Sequence, residues 1–191
     1  MEKIATHNSA TGESGIWYSW LLAPFAKCQS KTIKQQYESG CRLFDIRLKL
    51  VNNKWRMAHG WWYTKRSAED IIKEMNKFKN GPCRITLTYE GKGKNNELFL
   101  MFIIKLKSLY KNIKYGPVAV KYGKGSKGYK VSYDYILPGD NNWLNAPSVS
   151  KFMKLDGHSW HTFIPIPWIW KKICYNNPKF NEEKYTYVDF L

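Results

Sequence analysis

Polar residues that can do chemistry recur where short apolar runs end. His7 and Asn8 follow residues 4–6, Asp45 and Arg47 lie within residues 41–50, and His59 closes residues 54–59. Glu90 follows residues 84–89, and Asp189 sits in the last apolar stretch, 185–191. Two histidines with an arginine and carboxylates are what cleavage of a phosphodiester requires. One imidazole removes the proton of an attacking hydroxyl and the other protonates the departing oxygen. A guanidinium neutralises phosphoryl oxygens through its planar fork. Carboxylates fix the imidazole tautomer and keep a base ready.

The elements that must position these groups can be read from the pattern. Residues 4–6 form a short strand that delivers His7 into a polar loop. Residues 30–39 read as a helix, with Ile33 and Tyr37 spaced i, i+4 and Gly40 as its stop. Residues 41–50 are β-rich, with Leu43, Asp45 and Arg47 on one face and Phe44, Ile46 and Leu48 on the other. Residues 54–59 form another strand, followed by Gly60 and the cluster Trp61-Trp62-Tyr63. Ser67 opens a helix with Asp70 at the capping-box position and an apolar stripe of Ile71, Met75 and Phe78. Gly81-Pro82 breaks it before the strand 84–89. An amphipathic helix over 96–111 and a strand over 117–122 come next. Strand and helix patterns thus alternate from residue 4 to about 122, which points to βαβ units and a parallel sheet. Such sheets gather functional groups at the C-terminal ends of their strands. Residues 123–128 read as a loop, 129–137 as a strand and 137–147 as irregular.

Composition bounds the answer. The 191 residues fit a single domain, and 43% hydrophobic residues exclude a disordered chain. The longest apolar runs stop well short of a membrane span. No secretory h-region opens the sequence, which leads to a cytoplasmic or peripheral-membrane expectation. A net charge of +16 calls for an anionic partner, whether nucleic acid, an acidic membrane surface or a phosphorylated substrate. Nine Trp and thirteen Tyr suit single-stranded nucleic acid and an anionic bilayer equally. AT-rich coding, which inflates Lys, Asn and Ile, is the plain alternative for the charge. The four cysteines form no C-x-x-C pair and read as reduced, buried thiols.

Three ordered segments sharpen the reading. Thr6-His7-Asn8-Ser9, then Gly40-Cys41-Arg42-Leu43-Phe44-Asp45-Ile46-Arg47, then His59-Gly60 resemble the X-domain of phosphatidylinositol-specific phospholipases C. That family has a strand-end His, a helix closing on G-x-R-x-x-D-x-R and a second His before Gly. The match is clear over residues 4–91 and faint beyond. The resemblance implies a compact TIM-like (β/α) barrel, distorted or incomplete here because family members are usually considerably longer. It implies that His7 acts as base on the inositol 2-hydroxyl and that His59 is the acid for the diacylglycerol oxygen. It further implies that Asp189 supports the first histidine, while Asn8 and Glu90 bind or support. Calcium-dependent relatives carry a carboxylate where Arg47 stands, and metal-independent bacterial relatives carry an arginine. No cofactor is therefore expected, with Glu90 pairing with Arg47 and aiming it. The alternative is a calcium site built from Asn8, Asp45 and Glu90, the first and last being closer to the calcium-dependent pattern.

The expected partner is a phospholipid substrate at an anionic membrane surface, met by a monomer. Trp61, Trp62, Trp168 and Trp170 are core residues by default, and the candidates for a membrane-facing rim. His158 and His161 lack a third ligand for zinc. Residues 121–130 lack the order of a phosphate-binding loop and read as a solvated loop. Two other readings stay open. One is a phosphodiesterase for a different headgroup, disfavoured because such families carry E-x-D where this chain has Asp45-Ile46-Arg47. The other is a catalytically silent basic barrel that binds acidic lipid or nucleic acid.

Overall fold

The computed structural model describes residues 4–6, 8–81, 83–91, 95–125, 128–135 and 186–188. These make one mixed α/β layer structure. Strands β1 (Ile4–Thr6), β2 (Leu43–Val51), β5 (Cys83–Tyr89), β6 (Ile113–Gly125) and β8 (Thr186–Val188) run parallel, in the order β8-β1-β2-β5-β6. Strands β3 (Lys54–His59), β4 (Trp62–Tyr63) and β7 (Gly128–Tyr135) are antiparallel additions. Among the described residues the sheet is open, with β7 bonded to β6 and β8 bonded to β1. The α/β class therefore holds, while barrel closure is not a feature of the described residues.

Alternation along β2 and β5 separates two faces. Phe44, Ile46 and Leu48 of β2 and Ile85, Leu87 and Tyr89 of β5 face the helices. There they meet Ile71, Ile72 and Met75 of α3 (Ala68–Met75) and Phe99, Phe102, Ile103 and Leu106 of α4 (Asn96–Leu109), forming the apolar core. The opposite face of β2 carries Asp45 and Arg47, in register with Thr86 and Thr88. Each helix start follows its sequence. Thr32 and Gln35 close a capping box on α2 (Ile33–Glu38), and Gly40 supplies the left-handed φ of +99° that ends it. Ser67 Oγ accepts the Asp70 amide at the start of α3, where Glu69 and Asp70 meet the positive end of the helix.

Three expectations need correction. Strand β3 does not begin a βαβ unit but folds back on β2 as a hairpin. Asn52 and Asn53 adopt φ of +48° and +58°, the left-handed pair that a tight two-residue hairpin demands and asparagine tolerates. The lysine- and glycine-rich stretch read as a loop is strand as far as Gly125 and again from Gly128, in an antiparallel β6–β7 pair. Finally, α1 (Ser19–Ala26) lies where no helix was expected, because Pro24 reads as a breaker and the apolar residues around it show no single stripe. The readings for residues 137–185 lie outside the described residues.

Candidate active site

Parallel pairing of Ala5 with Leu43 and Thr6 with Phe44 sets the loop after β1 beside Asp45 of β2. Asn8, at φ +46°, turns the chain there and donates its backbone N–H to Asp45 Oδ2 at 3.2 Å. One residue beyond β5, Glu90 continues the ladder by donating its N–H to the Leu48 carbonyl at 2.8 Å. The Asp45 and Glu90 carboxylates thus approach Arg47 from its own strand and from the next.

Arg47 fills the space between them. Its Nε and Nη2 each lie 3.3 Å from Asp45 Oδ2, and its Nη1 lies 3.3 Å from Glu90 Oε1. Burial alone would lower its pKa, but Asp45 and then Glu90 outweigh that and hold it above the usual value. The guanidinium is a permanent cation, fixed rather than swinging on its stem. Thr86 Oγ1 donates to the other Asp45 oxygen at 3.4 Å.

His59 ends β3, and its two ring nitrogens meet different segments. Nδ1 lies 2.7 Å from the Ala26 carbonyl at the end of α1, so Nδ1 carries a proton and Nε2 is left for transfer. Nε2 is 3.4 Å from Asn8 Nδ2, and Cys28 Sγ stands 4.0 Å from Nδ1. Burial pushes the imidazole toward neutrality. The Cys28 sulfur and the Ala26 carbonyl outweigh it, against the opposing charge of Arg47, and His59 sits above its ordinary value. Gly60, at φ +62°, turns the chain next, and its N–H reaches Glu90 Oε2 at 2.6 Å. Glu90 therefore ties the guanidinium to the histidine-bearing turn.

Asn8, Asp45, Arg47, His59 and Glu90 are brought together as one cluster, at the C-terminal ends of β1, β3 and β5 and on the first half of β2. His7, Asp189, Trp168 and Trp170 lie outside the described residues, as do His158 and His161. Of the oxygen donors considered for calcium, Asp45 and Glu90 are each engaged by Arg47. Sequence reasoning missed Cys28 and Ala26. A backbone carbonyl and a thiol at a helix end carry no sequence signature of their own.

The tryptophan rim requires a correction. Trp61 is 83% exposed, but Trp62 is only 3% exposed, because pairing with His59 across β3 and β4 turns its ring inward beside Gly15. Other large apolar residues, unanticipated, are exposed as well. Trp17 is 86% exposed, and Trp20 (69%) and Leu21 (55%) project from the first turn of α1, whose last residue touches His59. Among the described residues no helix is long and apolar enough to cross a membrane.

No family model and no curated protein matches the sequence. Among solved structures, the chain is similar to a phosphatidylinositol-specific phospholipase C from Listeria monocytogenes. The TM-score is 0.62 at 17% identity, over 99% of this chain and 88% of that one. A Staphylococcus aureus phosphatidylinositol-specific phospholipase C aligns with a TM-score of 0.45 and 19% identity over 64% of this chain and 47% of that one. At such identities the Listeria likeness establishes the fold, and the chemistry rests on the residues themselves.

Proposed function

We propose that this protein cleaves a phosphatidylinositol-type phosphodiester by histidine acid–base catalysis, without a metal. The observation that carries the reading is the Arg47 guanidinium held between Asp45 and Glu90 beside an imidazole whose Nδ1 is held by the Ala26 carbonyl, with Nε2 left to exchange a proton. Such a fixed cation stabilises charge that grows on phosphoryl oxygens in the transition state.

In this mechanism His7 takes the proton of the inositol 2-hydroxyl. That oxygen bonds to phosphorus as the bond from phosphorus to the diacylglycerol oxygen breaks in line. His59 passes its Nε2 proton to the departing oxygen, giving diacylglycerol and a cyclic inositol phosphate. Asp189 supports His7, and Glu90 aims Arg47. Each imidazole contributes about 10²–10⁴-fold. The exposed Trp17, Trp20, Leu21 and Trp61 seat the mouth on an anionic bilayer, with a net charge of +16 assisting.

The test is release of cyclic inositol phosphate from phosphatidylinositol vesicles, with and without a chelator. Turnover that survives chelation and disappears in His7→Ala and His59→Ala supports the reading. Turnover lost to chelator moves Asn8, Asp45 and Glu90 into a calcium site. Absence of release from any inositol lipid by folded protein overturns it in favour of another phosphodiester or a binding role.

A further inference from the structure

We propose that Thr11 is a positioning residue for His59, holding in one place the two separate segments that contact the imidazole. Thr11 lies in the 3₁₀ turn Ser9–Gly12 and is 1% exposed. Its hydroxyl donates to the Asn8 carbonyl at 2.8 Å. It accepts the backbone N–H of Cys28 at 2.9 Å and of Gln29 at 3.1 Å. A hydroxyl has one proton and two lone pairs, and here all three are used.

The two segments joined this way are the ones that flank His59. Asn8 presents its amide to Nε2 at 3.4 Å. The segment after α1 presents the Ala26 carbonyl to Nδ1 at 2.7 Å and Cys28 Sγ at 4.0 Å. The Thr11 hydroxyl thus bonds the backbone of both segments at once. The separation between Asn8 and Ala26, and hence the ring's orientation and tautomer, depends on the Thr11 oxygen.

Among the described residues, the groups facing His59 come from several elements. Cys28 and the Ala26 carbonyl come from the end of α1, Asn8 from the β1 loop and Arg47 from β2. Asp45 and Glu90 are bonded to Arg47, and Glu90 also to Gly60. Releasing the 26–28 segment removes the two contacts that favour the protonated ring and leaves burial and Arg47 acting against it. His59 then ionises at lower pH.

The effect on turnover rests on the acid role given to His59 above; the effect on the ring does not. The experiment is therefore ¹⁵N NMR of the histidine rings, with His59 assigned through His59→Gln, in the wild type, Thr11→Val and Thr11→Ser. Valine keeps the shape and none of the three bonds, whereas serine keeps all of them. The expected wild-type tautomer is neutral His59 protonated at Nδ1. Thr11→Val is expected to titrate His59 at lower pH and to lower kcat by about tenfold or more, with Thr11→Ser restoring both. A purely structural role would lower the melting temperature without moving the ionisation. A folded Thr11→Val with wild-type ionisation overturns the proposal. If Thr11→Val does not fold, the wild-type tautomer decides, and a neutral ring protonated at Nε2 overturns it. A protein that releases nothing from phosphatidylinositol vesicles yet shows the Nδ1 tautomer and the valine shift supports the Thr11 role and refutes the functional reading.

Discussion

Glu90 and Gly60 are joined by a 2.6 Å hydrogen bond from the glycine N–H to Oε2, while the other carboxylate oxygen holds Arg47 at 3.3 Å. One carboxylate thus spans from a buried cation to the turn that follows His59. Removing it takes one of the two paired carboxylates away from the guanidinium. Glu90→Ala is expected to cost about 3 kcal/mol or more of stability, since it breaks a largely buried ion pair from one side. Glu90→Gln keeps an acceptor for Gly60 and should cost less. Urea unfolding midpoints of the two variants measure the difference, and equal losses would mean that the Gly60 bond contributes nothing.

Arg47→Lys replaces a planar fork, braced at three nitrogens, with a single ammonium. If the guanidinium neutralises the transition state, kcat on phosphatidylinositol vesicles falls by about 10²-fold while folding is retained. A lysine variant with full turnover would remove Arg47 from the proposed chemistry.

His59 ionises above its ordinary value of 6.5 in the folded protein. Protonation therefore favours the fold. That contribution is complete below pH 6.5 and is lost as pH rises through the folded value. The stability gap between wild type and His59→Gln should shrink with rising pH across this window, as read by thermal melts at a series of pH values. In the proposed reaction the protonated ring is the acid, so the alkaline limb of the kcat profile should fall through the same raised value. A limb at or below the ordinary histidine range contradicts the assignment.

Trp61 and Trp62 are adjacent and should behave oppositely. Trp62→Ala empties a buried site and is expected to cost about 3–5 kcal/mol. Trp61→Ala should leave the melting temperature unchanged and weaken sedimentation with phosphatidylserine-containing vesicles, as should Trp20→Ala. Unaltered vesicle binding in both exposed variants would show that this face does not meet lipid.

Much of this was legible in the residues. The strands at Ile4–Thr6 and Lys54–His59, the caps at Thr32 and Ser67, and the two-faced β2 all follow local rules of alternation and capping. Parallel pairing of β2 with β5 brings Glu90 to Arg47, whereas His59 reaches the cluster through the antiparallel β3. The β2–β3 hairpin was legible too, since Asn52-Asn53 is a turn signal, but the alternating strand–helix pattern masked it. Helix α1 was hidden by Pro24. Which tryptophan faces outward depended on the pairing of β3 with β4, and the Cys28 and Ala26 contacts depended on where a helix happens to end. Such relations belong to tertiary structure, and no spacing in the chain encodes them.

Strand β2 bonds along one edge to β1 and then to β3, and along the other to β5. Asn8, Asp45, Arg47, His59 and Glu90 all hang from this strand or from its direct neighbours. The Asp45–Arg47 pair, which lies within β2 itself, cannot loosen without stripping the middle of the sheet, the part of a protein whose amides exchange most slowly with solvent. That pair therefore shares the lifetime of the whole domain, unlike contacts carried on loops, which can fray and re-form while the scaffold stays intact.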